Sequence, residues 1–410
     1  MREPQGQKSG ITAGIRSRQV LRVALVAGFL HLTWALAFFA AGHEIRDFIR
    51  IGPNYVSQDD SSRVIEFDPD YEYPSNPNED FAGEGYDGQF FYFIALDPEH
   101  ARDYMDDPPY RYGRILYPLV ARVLAAGQPD AIPYALLAIN LLAVIGGTSA
   151  LSAWLAARGS SPWLGLVYGL YPGLLIGLQR DLSEPLAYAL VAGAIYLFDF
   201  GRRFGVLTAG LGFGLAALAR ESTIIFPALF AVSLLAGRPS SAGRIDRAKR
   251  LRLTGAFVAL AASPASAWLA ARWAWFGSPG DTGGRLTAIP FAGLIDGSFA
   301  DISGRPAGVI FAALPAIVAT IIAIRVLAGP AGRLEAACVL ANVAVALVFA
   351  GTRVWDSYTG VGRTSTAVVL AVLLCIPYLR YPDKRTRFAM AGTAVLWLAL
   401  TPVIYIHELV

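Results

Sequence analysis

The chain has 410 residues, of which 55% are hydrophobic and only 16% are charged. With its 41 glycines counted as apolar and its 18 tyrosines left out, the apolar share is roughly 61%, against about 45–50% in globular domains. This composition excludes an ordinary soluble protein and indicates a multi-pass membrane protein.

Charge and cysteine content exclude further classes. The formal net charge of +3 is too small, and the basic residues are too scattered, to indicate a nucleic-acid partner. The two cysteines, Cys338 and Cys375, both lie in apolar runs, so they offer neither a disulfide framework nor a cysteine-based zinc site. Four scattered histidines leave little other metal chemistry.

Apolar runs long enough to cross a bilayer recur along the chain, since a helix needs about 20 such residues to do so. The first run is longer than the apolar part of a signal peptide, so we expect a retained anchor. The predicted fold class is an all-α polytopic membrane protein, with residues 1–410 as one integral-membrane domain. We predict about eleven spans, near 20–42, 131–157, 162–179, 183–200, 205–220, 222–237, 253–276, 307–328, 334–350, 364–379 and 388–406.

The distribution of Lys and Arg predicts the orientation of these spans. With a cytoplasmic N-terminus, the inside loops hold 20 of the 34 basic residues, six of them between Arg238 and Arg252. The segment 44–111 then faces outward, and it carries 17 of the 31 acidic residues. Tyr112–Ala126 is too short and too charged to span comfortably, so we expect an interfacial or re-entrant helix. Residues 44–130 thus form an extracytoplasmic loop with juxtamembrane helices.

Charged residues recur at the outward ends of three predicted hairpins. Ionisable groups deep in a bilayer cost about 2.5–3.5 kcal/mol each, so this placement indicates a functional site. The alternative is that they are ordinary side chains at helix ends that reach the interface. The residues are Arg180, Asp181 and Glu184 at the first hairpin, Arg220 and Glu221 at the second, and Arg353, Asp356 and Arg363 at the third.

The outward segment contains one strong local motif around Asp87. This carboxylate lies between glycines and precedes Phe90, Phe91 and Ile94, which are spaced as on one face of a helix. A helix N-terminus stabilises an ionised Asp, as a general base requires. The alternative is an ordinary N-cap residue, and the two roles are compatible.

The stretches YDGQFFYFIALDP and YRYGRILYPLVARVLA, with the pairs RDLSEP and RES, resemble the GT-C superfamily of integral-membrane glycosyltransferases. Within that superfamily, the stretches resemble especially the bacterial relatives of the GPI mannosyltransferase II family. The resemblance implies that Asp87 is the catalytic carboxylate, and that Arg114 and Tyr117-Pro118 belong to the segment after it. The loop has Asp59-Asp60 and Asp106-Asp107 in place of the Asp-x-Asp of many GT-C enzymes, so no cofactor is assigned and a divalent metal stays open.

The same resemblance implies sugar transfer to a glycan, lipid or protein acceptor in the cell membrane. The predicted extracytoplasmic position of the site indicates a polyprenyl-phosphate donor, because nucleotide sugars are cytoplasmic. Arginine suits this chemistry because its planar group can bind phosphate oxygens in pairs. We expect the donor phosphate at Arg114, Arg180, Arg220, Arg353 and Arg363. The expected substrate-binding residues are Tyr86, Gln89, Tyr110, Arg111, Tyr117, Asp181, Glu184 and Glu221.

Two other functions fit a polytopic chain. A transporter or flippase would place ionisable groups near the midplane, on broken helices arranged as repeats. A structural subunit of an envelope complex would need neither Asp87 nor the outward arginines. The one-sided charges and the absence of a detectable sequence repeat favour the enzyme.

Overall fold

The computed structural model describes residues 5–52, 85–201, 204–238, 246–280, 286–295, 308–355, 358–379 and 384–407. Within these ranges the chain is helical and forms no strand, and an isolated bridge joins Leu286 to Ala350. The all-α prediction is confirmed for this part of the chain.

The helices range in length from 4 to 36 residues. They are α1 (Gln5–Ala40), α2 (Gly88–Leu96), α3 (Pro108–Arg111), α4 (Leu116–Leu124), α5 (Ile132–Ala157), α6 (Gly165–Gly169), α7 (Pro172–Gln179), α8 (Glu184–Phe200), α9 (Gly205–Ala219), α10 (Ile225–Leu235), α11 (Arg247–Phe276), α12 (Ala292–Ile295), α13 (Leu314–Leu327), α14 (Arg333–Val343), α15 (Thr352–Trp355), α16 (Tyr358–Cys375) and α17 (Lys384–His407).

Six helical segments in the described ranges are long and apolar enough to cross a membrane. They are Ser17–Ala40, Pro129–Ala157, Arg247–Phe276, Val309–Leu327, Tyr358–Tyr378 and Lys384–Ile406. The protein is therefore a multi-pass membrane protein, and the count of eleven spans is not confirmed.

The third predicted span, 162–179, is not one helix. It divides into α6 and α7 at Tyr171, whose backbone is extended (φ −66°, ψ 133°). Pro172 follows, and a proline disfavours the helical conformation in the residue before it. Helices α8, α9 and α10 are also short, with 17, 15 and 11 residues. Their large buried side chains, among them Phe198, Phe213 and Phe230, form the main core with α5 and α16.

Small residues let α7 approach α16 closely. A Cβ atom on Gly173 would overlap the carbonyl oxygen of Gly362 and the hydroxyl of Thr366. The next residue after Gly362 is Arg363, and α7 ends directly before Arg180. This crossing therefore fixes where two of the predicted phosphate-binding arginines lie.

Residues 85–124 pack on the bundle through α2, α3 and α4. Helix α4 has nine residues, about 13 Å, which is too short to cross the hydrocarbon core. The C-terminal end of α11 holds the turn between α3 and α4, since the Trp268 indole donates to the Tyr112 carbonyl (2.7 Å) and Arg272 donates to the Pro109 carbonyl (2.5 Å). The loop residues between α2 and α4 are therefore held against the helices of the core.

The topology can be tested with two exposed positions at opposite ends of the Pro129–Ala157 segment. We predict that a cysteine at Gln128 is labelled only from the extracytoplasmic side and a cysteine at Ser161 only from the cytoplasmic side. Membrane-impermeant maleimide on intact cells and on inverted vesicles measures this. Labelling of both positions from one side, or the reversed sidedness, would contradict the orientation.

Candidate functional site

Asp87 is the N-cap residue of α2, but its side chain makes no capping hydrogen bond. Its carboxylate lies instead between two arginines. Arg111 Nη1 donates to Oδ1 (2.6 Å), and Arg363 Nη2 donates to Oδ2 (3.0 Å). The Asp87 side chain is 21% exposed, so its carboxylate is reachable from solvent. Asp87 therefore does not cap α2 with its side chain, and its carboxylate pairs with the two arginines instead.

Arg111 is held on its other side by Asp106. Its Nε and Nη2 donate to the two carboxylate oxygens of Asp106 at 2.7 and 2.8 Å, and its guanidinium lies 4.1 Å from the centre of the Phe90 ring. Partial burial raises the pKa of the Asp106 carboxyl, but the two hydrogen bonds from Arg111 outweigh this and hold that pKa below its ordinary value. The Asp106–Arg111 pair is therefore ionised at neutral pH.

Glu184 joins two further arginines. This carboxylate is fully buried at the first position of α8, and its Oε1 accepts hydrogen bonds from Arg220 Nη1 and from Arg363 Nε (2.5 Å). Arg363 also donates to the Tyr86 hydroxyl (3.1 Å). The sequence predicted Arg363 in the turn before α16, whereas the structure places it inside this helix. The three elements that begin near Asp87, Glu184 and Tyr358 thus meet at one guanidinium.

Arg114 and Glu221 form a second pair beside this network. Arg114 Nη2 and Nε donate to the two oxygens of Glu221 at 3.0 and 3.1 Å, and Nη2 also donates to the Tyr110 hydroxyl (3.0 Å). The Arg114 side chain is buried, whereas Glu221 is half exposed. Together, Asp87, Arg111, Arg114, Glu184, Arg220, Glu221 and Arg363 are called the Asp87 cluster below.

The turn between α7 and α8 contributes a strained acid. Asp181 is fully buried, and its backbone is in the left-handed region (φ 45°). Its carboxylate lies beside the Tyr117 hydroxyl, but neither oxygen makes a hydrogen bond of good geometry among the described residues. Strain of this kind often accompanies a functional site. The preceding residue, Arg180, is also buried, and its guanidinium lies 5.2 Å from the centre of the Tyr86 ring.

Gly88 places Asp87 on this turn. A Cβ atom at Gly88 would overlap the carbonyl oxygen of Arg180, so only glycine allows α2 to begin there. The Arg180 carbonyl in the α7–α8 turn therefore contacts Gly88, the residue that follows Asp87.

Two predicted substrate-binding side chains make internal contacts. The Gln89 side-chain oxygen accepts from the Gly52 amide (3.0 Å), and the Tyr117 hydroxyl donates to the Leu136 carbonyl (3.0 Å) and accepts from Asn140 (2.8 Å). Both side chains are buried. The Tyr117 contacts hold α4 to α5, and the Gln89 contact holds α2 to the segment that follows α1.

Some predicted residues lie where the structure gives no side chain. Arg353 is in α15, but its side chain is outside the described part of the structure. Asp356, Asp59 and Asp60 are also outside the described residues. Of the third hairpin's three charged residues, the described part of the structure therefore places only Arg363 relative to Asp87.

Asp106 and Asp107 are the paired acids of the loop that the structure describes and that could be considered for a metal site. Asp106 binds Arg111, and Asp107 accepts from the Tyr110 amide (3.2 Å) as the N-cap of α3. Among the described residues, no group of three or more His, Cys, Asp or Glu side chains is placed to hold a metal ion. We therefore do not assign either of these acids as a metal ligand.

A small, shallow cleft opens at one side of the Asp87 cluster. It is lined by Asp87, Phe90, Phe91, Tyr110, Arg111 and Arg114. Aromatic rings, carboxylates and guanidinium groups are side chains that contact sugar faces, hydroxyls and phosphates.

The sequence interpretation missed a second polar cluster at the other end of α8. Asp199 accepts from Arg158 (2.6 Å) and from the Trp154 indole (2.9 Å), and Arg238 donates to Glu335 (2.6 Å). Each of these carboxylates has an arginine partner, and the cluster lies about 22 Å from Glu184 along α8. Its signal in the sequence is weak, because the four charged residues, Arg158, Asp199, Arg238 and Glu335, come from the ends of four different helices.

Comparison with known proteins gives no relative. No family model matches this chain, and neither the curated proteins nor the solved structures contain a match. The GT-C resemblance therefore rests on the motifs in the sequence alone.

Glu184 should be the most important carboxylate for the stability of the Asp87 cluster. Glu184→Gln leaves Arg220 and Arg363 buried without their shared anion, and we predict a loss of about 3–5 kcal/mol in unfolding free energy. The control is Asp103→Asn, which removes a 62% exposed acid from a surface pair and should change stability by less than about 1 kcal/mol. Unfolding in detergent micelles measures both, and equal effects would contradict the central place of Glu184.

Proposed function

We propose that this protein is an integral-membrane glycosyltransferase of the GT-C type. It transfers a sugar from a polyprenyl-phosphate donor to a glycan, lipid or protein acceptor at the extracytoplasmic face. The observation that carries the proposal is the partly exposed Asp87 carboxylate between Arg111 and Arg363, at the edge of a cleft with aromatic walls. The site combines a base with cations that bind phosphate.

The chemistry assigns a role to each group. Asp87 accepts the proton of the acceptor hydroxyl while that oxygen bonds to the anomeric carbon of the donor sugar. The bond from this carbon to the phosphate oxygen breaks, and the polyprenyl phosphate leaves with the electron pair. Arg111 and Arg363 neutralise the charge that develops on the phosphate. Arg114, Arg180 and Arg220 lie in the same region and add positive charge around it.

The proposal includes a topology of about eleven membrane segments, with the Asp87 cluster outside the cytoplasm. The basic loop at 238–252 supports this orientation, since such loops stay cytoplasmic. A polyprenyl-phosphate donor follows from this location, because nucleotide sugars are cytoplasmic compounds.

A transporter or flippase is the second candidate, and the break between α6 and α7 favours it. Broken helices are common at transport sites, where they lie near the bilayer midplane. In this protein the residue at the break, Tyr171, donates to or accepts from Ser365 (2.6 Å), and neither is charged. The charged groups lie mostly at helix ends instead, with Arg363 in the second turn of α16, which supports the enzyme.

Release of polyprenyl phosphate tests the enzyme directly. The purified protein is incubated with a panel of polyprenyl-phosphate sugars and a membrane extract as the acceptor source. We predict release from at least one donor, and a loss of about 10²–10⁴ in rate for Asp87→Asn, which keeps the size of the side chain but removes the base. Full activity in a stably folded Asp87→Asn protein would remove Asp87 from the mechanism.

The arginines separate the two candidates. We predict that Arg180→Ala, Arg220→Ala and Arg363→Ala each weaken the binding of a labelled polyprenyl phosphate in detergent, with smaller losses for the Lys variants, which keep the charge but lose the paired geometry. Arg102→Ala is the control, because Arg102 is 43% exposed and outside the cluster. Unchanged binding in all three, with uptake or flipping lost on changing Asn140 or Asn342, would favour transport.

A further inference from the structure

Arg111 and Arg363 share one pattern of contacts. Each donates one terminal nitrogen to Asp87 and its Nε to a second carboxylate. For Arg111 the second carboxylate is Asp106, bound through two nitrogens. For Arg363 it is Glu184, and the remaining nitrogen donates to Tyr86. Asp87 therefore receives only one of the three nitrogens of each guanidinium.

The second carboxylates fix each guanidinium independently of Asp87. Asp106 directly precedes the N-cap of α3, and Glu184 is buried at the start of α8, so the two come from different elements. The Arg111 plane is further fixed by the ring of Phe90, 4.1 Å away. If the contact to Asp87 were given up, each arginine would still hold one terminal nitrogen at the place of the Asp87 carboxylate, and Arg111 also lines the cleft.

Asp87 and a donor phosphate compete for these two nitrogens. Both are anions that bind guanidinium through short, charge-assisted hydrogen bonds. A carboxylate in two such bonds is also a weak base, because a nearby positive charge favours its ionised form. The Asp87 carboxylate is therefore a stronger base once Arg111 and Arg363 bind another anion in its place.

We propose that Asp106 and Glu184 are positioning residues that hold Arg111 and Arg363 while each arginine exchanges its Asp87 contact for the donor phosphate. The donor then binds before the base acts, and its arrival releases Asp87 to accept the proton of the acceptor. This inference rests on the proposed function, and it adds an order of events and two residues that need not touch the substrate.

The test compares two substitutions that remove the same charge. The probe is a labelled polyprenyl phosphate, and its dissociation constant is measured for the full-length protein in detergent. Asp87→Asn removes the competitor, so binding should tighten by about threefold to tenfold. Asp106→Asn frees Arg111 from its anchor, so binding should weaken by about tenfold. Asp106→Glu, which restores the carboxylate, should recover much of the affinity.

The opposite signs are the decisive result. If charge alone governs binding, both Asp→Asn changes tighten it, and so does the control Asp103→Asn on the same segment. Tightening or no change in Asp106→Asn would therefore overturn the positioning role, and weaker binding in Asp87→Asn would overturn the exchange. If the wild-type protein does not bind the probe at all, the proposed function fails together with the inference. Asp106 is 45% exposed, so its substitution should leave the fold intact.

Discussion

The structure depends on the pairing of buried guanidinium groups within an apolar helical bundle. An unpaired charge in such surroundings is strongly destabilising, so a buried arginine is stabilised by a nearby anion. Glu184 supplies one to Arg220 and Arg363 together, from a position that is fully buried. The helices α8, α9 and α16 must therefore meet at this carboxylate, and the groups around Asp87 are arranged as a consequence.

Backbone contacts set the same geometry from another direction. Gly173 lets α7 cross α16 one residue from Arg363, and Gly88 lets α2 begin on the carbonyl of Arg180. Close approach without side chains is the usual means of bringing helices together in membranes, where apolar association has little driving force. Asp87 and its two arginines thus lie on a loop, a short helix and a long helix. Close backbone contacts at Gly88 and Gly173 help to bring these elements together.

Much of the fold and part of the site could be predicted from the sequence. Hydropathy located the long helices α1, α5 and α11, and the outward hairpins indicated Arg180, Glu184 and Arg220. The break at Tyr171 was missed because window hydropathy ignores the conformational effect of Pro172. The Asp106–Arg111 anchor was missed because two charges five residues apart in a polar loop carry no periodic signal. The sharing of Glu184 by two arginines depends on tertiary packing, which no local pattern encodes.

The most direct measurement is a cryo-electron microscopy structure of the purified protein with a polyprenyl phosphate bound. Our account predicts phosphate density within hydrogen-bond distance of Arg111 and Arg363, beside Asp87, with Glu184 still bound to Arg363. Density instead beside Arg158 and Arg238, at the far end of α8, would contradict the account, because those arginines belong to the other polar cluster.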